Sequence, residues 1–167
     1  MKHLTKLVHL EMDVFCSRSV NLDEALPFLR NLETIVIRSR NAVRVSHKAL
    51  SKLNQLKALS FELVGVDERF FGSLVGALGL TELYFQSDLE ELFTFDFLSQ
   101  VNDLRSLECL TLRCGAQCSP SEYLLPSCLS KLKSLEVQDA IDQERHKLRR
   151  MFPHLRQLKT EVFLDSV

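Results

Sequence analysis

Read only as apolar and polar positions, the chain repeats itself. The frame apolar-x-x-apolar-x-x-apolar-x-apolar first occurs as Leu4-x-x-Leu7-x-x-Leu10-x-Met12. It returns as Leu29-x-x-Leu32-x-x-Ile35-x-Ile37 and as Leu53-x-x-Leu56-x-x-Leu59-x-Phe61. Ala77-x-x-Leu80-x-x-Leu83-x-Phe85, Leu104-x-x-Leu107-x-x-Leu110-x-Leu112 and Leu129-x-x-Leu132-x-x-Leu135-x-Val137 follow. The last, Phe152-x-x-Leu155-x-x-Leu158-x-Thr160, loses its final apolar position. The starts lie 25, 24, 24, 27, 25 and 23 residues apart. The end of each frame alternates with period two, the signature of a strand with one buried face. The L-x-x-L step before it turns the chain into that strand. Successive strands are therefore expected to pair in parallel, with their inward side chains stacked into one continuous core.

The segments between frames read as short helices. Asn21 is placed to cap Leu22 to Leu29, with Glu24 three residues on. Ser46 precedes Ala49, Leu50 and Leu53, and Asp67 precedes Phe70, Phe71, Leu74 and Leu78. Ser119-Pro120-Ser121-Glu122 combines a cap, a proline at the first helical position and an early glutamate. Asp139 or Asp142 can begin a helix holding Leu148 and Met151. Pro27 and Pro126 should shorten the helices in which they fall. Strand inside and helix outside, repeated about seven times, gives an α/β solenoid: a horseshoe with a concave parallel sheet and a convex side of short helices.

Spacings within about 20–29 residues and the L-x-x-L-x-x-L frames resemble the leucine-rich-repeat superfamily over essentially the whole chain. Many members carry Asn or Cys three residues after the last strand leucine. Here that place holds Phe15, Arg40, Val64, Asp88, Gly115, Ala140 and Phe163, so an asparagine ladder is not expected. These irregular repeats look like those of intracellular F-box adaptors, which serve ubiquitin ligases, and of nucleotide-binding immune receptors. The resemblance implies a module that binds a protein partner on its concave face, for ligand sensing or substrate recognition. The alternative is a structural or regulatory solenoid packed against other domains of its own parent chain. Residues 1–167 are expected to form a single domain, a monomer or part of a larger assembly. The first frame begins at Leu4 without a capping element, which suggests further chain before it. Val162, Phe163 and Leu164 are placed to fold over the last repeat.

The period-two frame names the outward columns of the concave face. One is Glu11, Val36, Ser60, Tyr84, Thr111, Glu136 and Lys159; the next is Asp13, Arg38, Glu62, Gln86, Arg113, Gln138 and Glu161. His9, Thr34, Ala58, Glu82, Cys109, Ser134 and Gln157 flank them. Tyr84 is the only aromatic residue in these columns, and Arg38 and Arg113 lie on either side of it. Tyrosine and arginine are enriched at binding hot spots. The expected partner site is therefore Tyr84 with Arg38, Glu62, Gln86, Arg113, Val36, Ser60 and Thr111.

Composition narrows the function further. Twenty-one basic and 22 acidic residues give a net charge of -1, with no electrostatic footprint for nucleic acid. No apolar run approaches the roughly 18 residues of a membrane span, so no membrane partner is expected. The N-terminus lacks the apolar core of a secretory signal. Five cysteines, Cys16, Cys109, Cys114, Cys118 and Cys128, match no paired zinc spacing. Their odd number favours free thiols in a reducing compartment, and hence a cytoplasmic protein. Histidines 3, 9, 47, 146 and 154 are scattered, and no nucleophile motif occurs. Neither enzyme activity, nor a cofactor, nor a metal is expected. Arg145, His146, Lys147, Arg149 and Arg150 form a local basic run, read either as an acidic-partner patch or as a solvated helix face.

Overall fold

The computed structural model describes residues 4–14, 20–39, 43–63, 79–87, 100–114, 120–122, 124–138 and 142–161. Seven of its strands form one parallel sheet: β1 (His9–Val14), β3 (Thr34–Ser39), β5 (Ala58–Leu63), β6 (Glu82–Ser87), β7 (Cys109–Cys114), β8 (Ser134–Gln138) and β9 (Gln157–Glu161), in that spatial order. Each strand falls on the alternating end of one sequence frame. The architecture is an α/β leucine-rich-repeat solenoid, open at both sheet edges.

The leucine frame works through two hydrogen-bond devices. Leu7, Leu32, Leu56, Leu107, Leu132 and Leu155 each donate their N–H to the carbonyl three residues back, at 2.9–3.2 Å. The L-x-x-L step is thus one tight turn, made in the same way in six frames. The backbone carbonyls of Val8, Glu33, Lys57, Thr81, Glu108 and Lys133 each then accept two N–H groups from the next repeat. Those of Glu33 and Thr34, for example, reach Val8 at 2.8 and 3.2 Å. This bracket at the mouth of every strand fixes the register, whatever the length of the intervening segment.

Register and burial then agree with the frame. Leu10, Ile35, Leu59, Leu83, Leu110, Leu135 and Leu158 pair in sequence along one rung. Met12, Ile37, Phe61, Phe85, Leu112, Val137 and Thr160 form the next. Inner rungs are fully buried, while Leu10, Met12 and Leu158 at the sheet edges are only partly so. Each fully buried leucine contributes about 1.5–3 kcal/mol through loss of water contact, so stacking of rungs is the main stabilising term.

The convex side carries shorter helices than the spacing suggests. The helix expected over Leu22 to Leu29 is one 3-10 turn, Leu26–Phe28, with Pro27 in its first turn. Asn21 lies in a two-residue strand, β2 (Val20–Asn21), paired with β4 (Val43–Arg44), and its side chain accepts the N–H of Asp23 at 3.0 Å. Too few residues remain before the Leu29 turn for a second helical turn, and Pro27 offers no N–H to continue one. Ser46 does cap α1 (His47–Leu50), its hydroxyl accepting the Ala49 N–H at 3.2 Å. The Pro120 segment is a 3-10 turn, Pro120–Glu122, and α2 runs over Asp142–Met151. The Asp67 helix, the seven ladder positions and the segment Val162–Leu164 lie outside the described residues.

Buried and half-buried polar groups tie neighbouring repeats on this side. Asp23 accepts the N–H of Ser46 at 2.5 Å, and Asn102 accepts that of Leu125 at 2.7 Å. Glu144, 3% exposed, accepts the Ser121 N–H at 2.6 Å and its hydroxyl at 2.8 Å. Backbone donors that the short convex segments cannot satisfy internally are met by the adjacent repeat.

Candidate functional site

The outward columns form as the frame requires. Glu11, Val36, Ser60, Tyr84, Thr111, Glu136 and Lys159 pair in succession across the sheet. Asp13, Arg38, Glu62, Gln86 and Arg113 do the same one step along the strands. Alternation leaves these side chains half-buried or exposed while their strand neighbours fill the core.

Within this surface the structure separates two polar units. The first surrounds Arg38. Its Nη1 donates to Glu11 Oε1 at 2.5 Å and to Asp13 Oδ1 at 3.3 Å, and its Nε lies 3.3 Å from Glu62 Oε2. The hydrogen bond to Glu11, then that to Asp13, raises the guanidinium pKa well above its ordinary value. In return Arg38 holds the Glu11 carboxyl below the usual carboxylate range. Arg38 is thus engaged toward β1 and β5 and does not approach Tyr84.

The second unit is built on Tyr84. Its hydroxyl donates to Gln86 Oε1 at 2.6 Å, and the Arg113 guanidinium lies 5.8 Å from the ring centroid, within cation–π range. Arg113 is itself held by Glu136, with Nε and Nη2 at 3.1 and 2.6 Å from Oε1. Lys159 approaches the other Glu136 oxygen at 3.7 Å. Burial pushes the Tyr84 phenol above its ordinary pKa, against the opposing effect of Arg113. The phenol is a neutral donor at physiological pH, fixed at its hydroxyl by Gln86 and at its face by Arg113.

Tyr84, Ser60 and Thr111 also line a shallow depression of about 240 Å³ over the strand entrances, together with Thr34, Ala58 and Glu82. Of the expected site residues, the structure therefore unites Tyr84, Gln86, Arg113, Ser60 and Thr111. It assigns Arg38 and Glu62 to the separate acidic unit, and Val36 lies between the two. Reasoning from columns alone missed Glu136 as the residue that orients Arg113, and Glu82 and Ala58 as parts of the depression. Glu136 sits diagonally across one strand from Arg113, a relation visible once the columns are written side by side.

The remaining candidate chemistry is plain. Cys109 borders the same depression as a free thiol, and burial, followed by Glu82 and Glu108, pushes its pKa up. It is held as a thiol rather than as the reactive thiolate. Cys128 is a second free thiol and lies in a turn. Among the described residues no three ligating side chains cluster for a metal ion. No helix among them is long and apolar enough to cross a membrane. Along α2, Arg145, His146, Lys147, Arg149 and Arg150 are exposed, while Glu144 and Leu148 face inward.

No protein-family model matches the chain, and no curated protein matches it. Among solved structures it is similar to an internalin from Listeria monocytogenes, with a TM-score of 0.50 and 15% sequence identity. The match covers 86% of this chain and 42% of the internalin, so the chain spans less than half the length of that neighbour. At this identity the likeness concerns the fold alone.

Proposed function

We propose that the chain is a protein-recognition module that holds its partner on the concave face, centred on Tyr84, for ligand sensing or substrate recognition. The observation that carries this reading is the immobilised aromatic ring at mid-array. Gln86, Arg113 and Glu136 hold Tyr84 in place beside a shallow depression. A side chain fixed before binding loses little entropy on association, which is the property of a hot spot. The irregular repeats, without asparagine at the ladder positions of the sequence, support a cytoplasmic protein of the adaptor or immune-receptor kind.

A second reading, packing against another part of a parent chain, is favoured by Leu4 and Val8. These are 49% and 50% exposed next to the edge strand β1. Affinity chromatography on the wild-type chain, followed by affinity measurement with variants, separates the readings. Tyr84→Ala should weaken the captured partner by about thirtyfold, the equivalent of roughly 2 kcal/mol. Unchanged affinity in a folded Tyr84→Ala variant, with loss on changing Leu4 and Val8 to serine, would favour the second reading.

A further inference from the structure

The depression beside Tyr84 has a charge asymmetry that names its occupant. Four carboxylates on the outward columns of the sheet, Glu11, Asp13, Glu62 and Glu136, have a cation close by. Glu11, Asp13 and Glu62 share Arg38 within 3.3 Å, and Glu136 has Arg113 at 2.6 Å. On the rows before the strands, Glu33 has Lys57 at 2.7 Å and Glu108 has Lys133 at 2.6 Å. Glu82 is exposed at the rim of the depression and makes no ion pair among the described residues. The rest of the depression's lining carries no charge and includes the small residues Thr34, Ala58 and Ser60 and the Tyr84 side chain. Tyr84 is engaged toward Gln86 and Arg113, which do not line the depression, so it is tied on the side away from this space.

From this geometry we infer that the depression receives one lysine or arginine side chain of the protein partner, its aliphatic stem against Ala58 and Tyr84 and its cation paired with Glu82. The size fits a single side chain, since about 240 Å³ is less than the roughly 300 Å³ at which small-molecule pockets begin. Long cationic side chains lay their methylenes along apolar surface and keep the charge at the wet edge. Here that edge holds Glu82, which has no ion pair among the described residues, and a cation beside the tyrosine face gains further attraction. This identification rests on the concave face being the partner surface and adds the chemistry the partner must present.

The test uses capped tripeptides of the form acetyl-Gly-X-Gly-amide, with X as Lys, Arg, Leu or Glu, titrated into the 15N-labelled chain. The Lys and Arg peptides should shift the amide signals of Ala58, Ser60, Glu82 and Tyr84 saturably. Glu82→Gln should weaken them by about fivefold, the size of a partly exposed ion pair. Ala58→Met, which fills the depression and leaves Glu82 in place, should weaken them as well. Equal or tighter binding of the Leu peptide at these amides would overturn the cation and leave the concave face as the partner surface. Basic peptides that bind Glu82→Gln as well as wild type, or that shift none of these amides, would overturn the inference. If the natural partner were also indifferent to Tyr84→Ala, the recognition reading would fall with it.

Discussion

Replacing Leu83 by alanine isolates the contribution of one rung. Leu83 is 2% exposed and lies between Leu59 and Leu110 in register on the two adjoining strands. Truncation removes three carbons, its isopropyl group, worth roughly 2.4 kcal/mol at ~0.8 kcal/mol per buried carbon. Strands β5 and β7 are bonded to β6 on both sides, so the neighbours cannot close the gap. A cavity term then brings the loss to about 3–4 kcal/mol, inside the range for buried Leu→Ala changes. Leu158 occupies the same rung at strand β9, where among the described residues only Leu135 pairs with it in register and it is already partly exposed. Leu158→Ala should cost only about 1 kcal/mol, because less surface was removed from water. Urea denaturation followed by circular dichroism measures both. Equal losses in the two variants, or a loss below ~1 kcal/mol for Leu83→Ala, would refute the claim that stacked rungs stabilise the fold.

Asn102→Ala should cost about 2 kcal/mol, since it leaves the Leu125 N–H without the acceptor that Asn102 provides at 2.7 Å; a loss within the error of chemical denaturation would contradict that bracket. The pH dependence follows from Glu11 and Glu108, whose carboxyl pKa values are lowered by Arg38 and by Lys133. A depressed folded-state pKa gives stabilisation that is fully present above the ordinary carboxylate value and lost as pH falls through the depressed one. Carbon-detected titration should find both groups below about 4.3, and titration at or above that value would show the ion pairs to be absent in solution.

The sheet was legible because its signal is repeated. Positions such as Leu59, Leu83 and Leu110 recur at a spacing that only stacked parallel strands satisfy, and the strand alternation then assigns every outward column. The convex side was less legible because its segments obey no common rule. Leu22 to Leu29 carries helix-forming residues, yet Pro27 and the nearby leucine turn allow only one 3-10 turn. The ties made by Asp23, Asn102 and Glu144 each bridge 23 residues, but the accepting side chain changes and lies in the earlier repeat twice and in the later one once, so no residue pattern announces them.

At the site, the columns correctly set Tyr84 beside Ser60 and Thr111. They could not say which of several carboxylates would engage each arginine. Arg38 has three within reach and takes all of them, whereas Arg113 turns to Glu136 and so comes to rest near the tyrosine ring. That choice depends on side-chain rotamers and local charge rather than on spacing.

The most direct measurement is the set of inter-strand proton contacts around Tyr84 in a 13C,15N-labelled sample. The account predicts backbone contacts from Tyr84 to both Ser60 and Thr111 in a parallel pattern, with methyl contacts from Leu83 to Leu59 and Leu110. Antiparallel contacts among these strands, or solvent-exposed methyls at Leu83, would contradict it.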